Sequence, residues 1–202
     1  MVPASESTTA SARGITLWPA SIEPLPLPVF PTCQKPMTTV LPSETQDAVR
    51  KLILLISLHD QDAADKYWTA FQHALARADS GCEGHMLLWP LTEAIGAAGF
   101  YVEWKDTAAV VRGVQAMCDR VGLRVDWGAP EPLAATFLAG KDVPGLMAIA
   151  QVSLQAAGFS LWCWDTQADA YAGWMIRSAD EPVLAELARQ LHLMIDPADE
   201  TY

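Results

Sequence analysis

Gly99-Phe100-Tyr101-Val102-Glu103-Trp104-Lys105-Asp106-Thr107 is the stretch at which the hydrophobic period of this chain changes. Upstream, apolar residues recur at helical intervals. Ser43-Glu44-Thr45-Gln46 has capping-box spacing and precedes Val49, Leu52, Ile53 and Ile56. A second helix is expected from Asp60 or Asp62 to about Asp79, with Ala64, Tyr67, Trp68, Phe71, Leu75 and Ala78 as its buried stripe and Gly81 and Gly84 as its stop. A third is expected from about Pro90 to Ala98. From Phe100 to Trp104 the pattern alternates residue by residue, as in a strand. Asp106 then caps a helix whose Val110, Val111, Val114, Met117, Cys118 and Val121 share one face, and Gly122 ends it. Leu123-Arg124-Val125-Asp126-Trp127 alternates again. Strand, helix and strand on short links predict a crossover unit in one sheet.

Further along, Gly128 to Pro132 is a turn, irregular helix runs through Leu138, and Pro144 opens a helix that ends at Gly158. Phe159 to Trp164 and Tyr171 to Ile176 read as a hairpin around residues 165–169. Pro182 begins a last helix to about Leu191, and His192 to Ile195 is a short final strand. In the hairpin, Phe159, Leu161 and Cys163 point one way and Trp162 and Trp164 the other, so both faces are apolar and helices are expected on both. The fold class is α/β, with α+β as the other arrangement: a small mixed sheet with a C-terminal hairpin, flanked by several helices, after a helical N-terminal part.

Residues 1–42 differ in kind. Ser, Thr and Ala fill the first dozen positions, and prolines follow at 19, 24, 26, 28, 31, 36 and 42. Proline fixes φ and removes an amide donor, so a disordered proline-rich arm is expected there, and a single globular α/β domain over 43–202. Met37 lies close enough to the first helix to be an alternative start. The domain has material for a core, since 51% of the 202 residues are hydrophobic. Thirteen Lys and Arg against 24 Asp and Glu give a formal charge of −11. Such a surface repels phosphate backbones and anionic lipid, which excludes nucleic acid and membrane as expected partners and suits a basic protein. Cys33, Cys82, Cys118 and Cys163 are scattered with no Cys-x-x-Cys spacing, against both a disulfide framework and a closed zinc site. No basic region leads into an apolar run at the N-terminus, and no apolar run is long enough to span a bilayer, so a cytoplasmic location is expected.

Ala97-Ala98-Gly99-Phe100 with Asp106-Thr107 returns as Ala156-Ala157-Gly158-Phe159 with Asp165-Thr166 at the same internal spacing. A duplicated supersecondary unit produces such an echo. So does the stereochemistry of any helix-Gly-strand joint. Together with these lead-ins, Trp104-Lys105-Asp106-Thr107 and Trp164-Asp165-Thr166-Gln167-Ala168-Asp169-Ala170-Tyr171 resemble a family of small bacterial proteins catalogued as a domain of unknown function. The resemblance covers roughly residues 45–196. It implies one compact α/β domain and carries no activity, cofactor or catalytic residue with it.

Asp165 and Asp169 form the best candidate binding pair. Two carboxylates on one turn, with Thr166 and Gln167 adding oxygens, have the chemistry of a hard-cation site. Such a cation wants six or more oxygens, however, and Asp and Thr are also ordinary turn residues. Asp106 joins them at the same sheet edge, beyond the strand ends where α/β sheets bind ligands, although capping is the cheaper account of it. Trp104 and Trp164 beside these carboxylates complete the candidate binding set. No catalytic residue, no metal ligand and no cofactor is indicated. Cys118 and Cys163 hold core positions, Cys82 and His85 lack an orienting third group, and His59, His73 and His192 stand alone. Gly-x-Ser-x-Gly, phosphate-binding glycine loops and His-Glu-x-x-His are all missing. Three function classes follow in order: an acidic protein-interaction domain, for instance an antidote or immunity-type binder of a basic partner; a small-molecule-binding regulatory domain; and a hydrolase using Asp106, Asp165 and Asp169.

Overall fold

A computed structural model describes residues 41–78, 87–164, 166 and 168–200. In chain order the elements are α1 (Ser43–Ile56), α2 (Gln61–Arg77), α3 (Leu88–Ile95), β1 (Gly99–Glu103), α4 (Thr107–Asp119), α5 (Ala135–Leu138), α6 (Val143–Ala156), β2 (Phe159–Trp164), β3 (Ala170–Arg177), α7 (Glu181–Leu191) and β4 (Ile195–Pro197). The strands form one antiparallel sheet in the order β1-β3-β2-β4, with the predicted hairpin β2–β3 at its centre. Residues 1–40 of the expected arm lie outside the described residues, as do Asp79, Gly81, Cys82, Gly84, His85, Asp165 and Gln167. Leu41, near the end of that arm, is buried in the core beside α1.

The two apolar faces of the hairpin generate two cores. Trp162, Trp164, Trp174 and Ile176 face α1, α2, α3 and α7, where Leu52, Ile53, Phe71, Ile95 and Leu184 close around them. Leu161, Cys163 and Met175 face α4 and α6 on the opposite side, against Val110, Val114, Leu146 and Leu154. Helices therefore cover both faces, as the hairpin alternation requires. The rings of Trp164 and Trp174 lie 4.9 Å apart at 32°, an arrangement worth about 1 kcal/mol beyond the area it buries.

The crossover is corrected. Residues 123–127 form no strand and join no sheet. Val125 and Trp127 are buried in the α4–α6 core, while Arg124 and Asp126 are exposed. The alternation thus reports one buried side rather than a hydrogen-bonded neighbour. The Asp126 amide donates to Ser153 Oγ of α6 at 2.9 Å, in place of a strand partner.

Local signals at helix ends are followed with differences. Ser43 is the first helical residue rather than the cap, and Gln46 Nε2 donates back to Leu41 O at 2.8 Å. α2 ends at Arg77, which leaves Ala78 exposed, and Val121 beyond α4 is also exposed. Asp60 and Asp106 cap α2 and α4, accepting from the amides of Ala63 and Ala109. In the echo, Gly99 is extended at φ −138°, while Gly158 is left-handed at φ +81°. A Cβ on Gly99 would lie 2.3 Å from Gly173 O, whereas one on Gly158 meets nothing. The two glycines answer different demands, close strand approach in one case and a helix exit in the other.

Candidate functional site

β1 is an edge strand. Its burial alternates, with Phe100 and Val102 turned into the α4–α6 core and Tyr101 and Glu103 exposed. Tyr101 is 49% exposed and Trp104, just beyond the strand, 47%. The chain then turns tightly into α4, with the Asp106 amide donating to Glu103 O at 2.9 Å and Asp106 Oδ1 accepting from Ala109 N at 2.8 Å. Lys105 Nζ lies 4.3 Å from the Trp104 ring centroid, a cation–π contact at the surface.

The hairpin turn reaches the same end of the sheet. Glu103 pairs with Ala170, and the Trp104 amide donates to Asp169 O at 3.1 Å, which continues the ladder one step past β1. Thr166 is buried, its Oγ1 donating to Ala170 O at 2.7 Å and accepting from Ala168 N at 3.3 Å. Its hydroxyl is the internal brace of the turn. Asp169 is exposed.

Of the five residues expected at the site, Trp104, Asp106 and Asp169 come together at this end of the sheet. Asp165 lies outside the described residues. Trp164 belongs to the core, its ring tilted against that of Trp174. Tyr101 and Glu103 complete the surface and were not singled out from sequence, because alternation marks which residues share a side but not which side stays bare. Among the described residues, no group of three or more His, Cys, Asp or Glu is placed to hold a metal ion. Asp106 serves its helix cap, which leaves one of its oxygens committed to a backbone amide.

The cysteines described are core residues. Burial, with the Asp119 charge adding to it, pushes the Cys118 thiol from 9.0 up to about 11, so no thiolate forms at neutral pH. Cys163 Sγ lies 3.5 Å from Met147 Sδ in the same core. His59 Nε2 lies 2.7 Å from Asp180 Oδ2 and ties the left-handed Leu58-His59 turn to the start of α7. Arg177 Nη2 donates to Leu58 O at 3.0 Å in support of that turn. No described helix is long and apolar enough to cross a membrane.

A recess lies along the outer face of α4. Arg112, Gln115, Ala116 and Asp119 form a stripe along α4 at positions i, i+3, i+4 and i+7, and Trp127, Pro132 and Leu133 face them across a cavity of about 220 Å³.

No curated protein and no solved structure matches the chain. A family model described as "Domain of unknown function (DUF6630)" matches residues 48–198, which takes in all of the sheet and most of α1. This covers well over half of the 202 residues, and the chain therefore belongs to that DUF6630 family.

Proposed function

We propose that this chain is a cytoplasmic interaction domain that receives a basic protein partner on the open β1 edge of its sheet. The observation that carries the reading is the pairing of two half-exposed aromatic side chains, Tyr101 and Trp104, with the exposed carboxylates of Glu103, Asp106 and Asp169 around one sheet end. Large aromatic side chains offer broad contact area at small entropic cost and are the residue types that dominate interface energetics. Carboxylates around them supply the charge complement to Lys and Arg, and the −11 charge of the whole chain extends that attraction beyond contact range.

Rigidity supports the reading. β1 is paired along its full length with β3, Thr166 braces the neighbouring turn, and Asp106 locks the start of α4. The exposed side chains stand on a fixed frame, so docking orders few additional groups.

The test compares the wild-type chain with a Tyr101→Ser, Trp104→Ser variant in affinity capture from native lysate. Both substitutions are on exposed positions, so the melting temperature should be nearly unchanged. Loss of two aromatic anchors should weaken retention of a true partner about thirtyfold or more. Equal recovery of the same proteins by both chains refutes the assignment of this edge.

A further inference from the structure

The recess between α4 and residues 127–133 is walled on one side by Val111 and Ala116 of α4 and on the other by Trp127, Pro132 and Leu133. Its volume is about 220 Å³. An apolar cavity of about 150 Å³ is enough to admit benzene. The space here thus accommodates one aromatic ring with a polar substituent, and Leu133 is 48% exposed at its rim.

Polar groups in the wall set the chemistry. Arg112 makes no ion pair and no hydrogen bond among the described residues. Trp127 is buried, with its indole Nε1 out of contact with solvent and without an acceptor among the described residues; what Trp127 offers the recess is apolar ring surface. Among the described residues, Arg112 is therefore the exposed donor of the wall that lacks a partner. The opposing charge is partly engaged: Asp119 Oδ1 accepts from Gln115 Nε2 at 2.9 Å, and the same amide nitrogen lies 3.4 Å from Leu123 O. An acceptor-bearing ligand gains more here than a donor-bearing one.

We propose that this recess binds a small aromatic monocarboxylate, its ring packed on Trp127, Pro132 and Leu133 and its carboxylate paired with the guanidinium of Arg112. The site stands apart from the β1 edge in its lining residues and does not depend on the partner reading. A carboxylate and a guanidinium match in planar geometry, which is why arginine rather than lysine suits the position. Closing Leu133 over the ring would couple occupancy to the 128–133 turn, the natural output of a regulatory ligand.

The probe is benzoate, followed by the indole N–H resonances of the uniformly nitrogen-labelled full chain. Trp127→Phe identifies the Trp127 signal by its loss. Benzoate should shift that signal saturably with a dissociation constant of about 1 mM, which lies within ligand-efficiency limits for so small a molecule. Arg112→Gln, at an exposed helical position, should raise the constant about tenfold while leaving the rest of the spectrum in place. Ala116→Leu, which narrows the recess without touching a charge, should also weaken binding. The proposal is overturned if the Trp127 signal is unmoved at about fifty times that concentration. It is equally overturned if benzylamine binds as well as benzoate, or if Arg112→Gln binds benzoate as tightly as the wild type.

Discussion

Gln151→Met isolates a single hydrogen bond that completes the sheet. β4 covers β2 opposite Trp162, Cys163 and Trp164, and its continuation supplies only the Ala198 amide, which donates to Leu161 O at 3.0 Å. The Leu161 amide is left without a strand partner. Gln151 of α6, 1% exposed, fills the gap: its Oε1 accepts from Leu161 N at 2.7 Å. Methionine has nearly the same length and volume but no comparable acceptor, so the substitution strands a buried N–H while preserving the packing. A stranded donor costs about 1–3 kcal/mol. Taking about 2 kcal/mol, and a response of about 2–4 °C per kcal/mol in a domain of this size, the melting temperature should fall by about 4–8 °C. Urea titration should show a lower midpoint at an unchanged slope, because the surface exposed on unfolding is the same. A melting-temperature change smaller than about 1 °C would refute the reasoning, by showing that the amide finds another acceptor.

Gly173→Ala should be more damaging than Gln151→Met, by about 3 kcal/mol or more on chemical denaturation, because its Cβ would lie 2.5 Å from the backbone oxygen of Trp162 and 3.2 Å from Phe100 Cζ. Asp106→Ala should cost about 1 kcal/mol through loss of the α4 cap. The raised Cys118 thiol, moved by burial from 9.0 to about 11, favours the folded state in its protonated form. Its contribution is complete below about pH 9 and lost as pH rises toward about 11, so wild type should lose about 2–3 kcal/mol more than Cys118→Ala over that window. A parallel pair of pH–stability curves would contradict it.

The hairpin was legible because strict alternation with both sides apolar leaves few physical solutions. Leu161 and Cys163 against Trp162 and Trp164 called for a helical layer on each face, and both layers are present. The same alternation misled at residues 123–127, where one buried side is satisfied by packing on α4 and α6 and no strand lies alongside. Strand order is the missing information. Trp104 and Trp164 look alike in sequence, each at a strand end beside an Asp-Thr pair. One is exposed because it lies past the end of the edge strand β1, and the other is buried because it lies within β2, between β3 and β4. Local pattern does not encode that difference. Nor does it encode the return of residues 127–133 onto the α4 stripe, since Arg112, Gln115, Ala116 and Asp119 read in isolation as an ordinary solvated helix face.

Association kinetics across salt give the most direct test of the β1 edge as the receiving surface for a basic partner. The measurement takes the protein that the wild-type chain retains and the Tyr101→Ser, Trp104→Ser variant does not. The screening length shrinks from about 10 Å at 0.1 M salt to about 3 Å at 1 M, so steering by the −11 charge should fade over that range. The account predicts an association rate that falls at least about tenfold and a dissociation rate that changes far less, since the latter reports aromatic packing. An association rate independent of salt, or no protein that distinguishes the two chains, would contradict it.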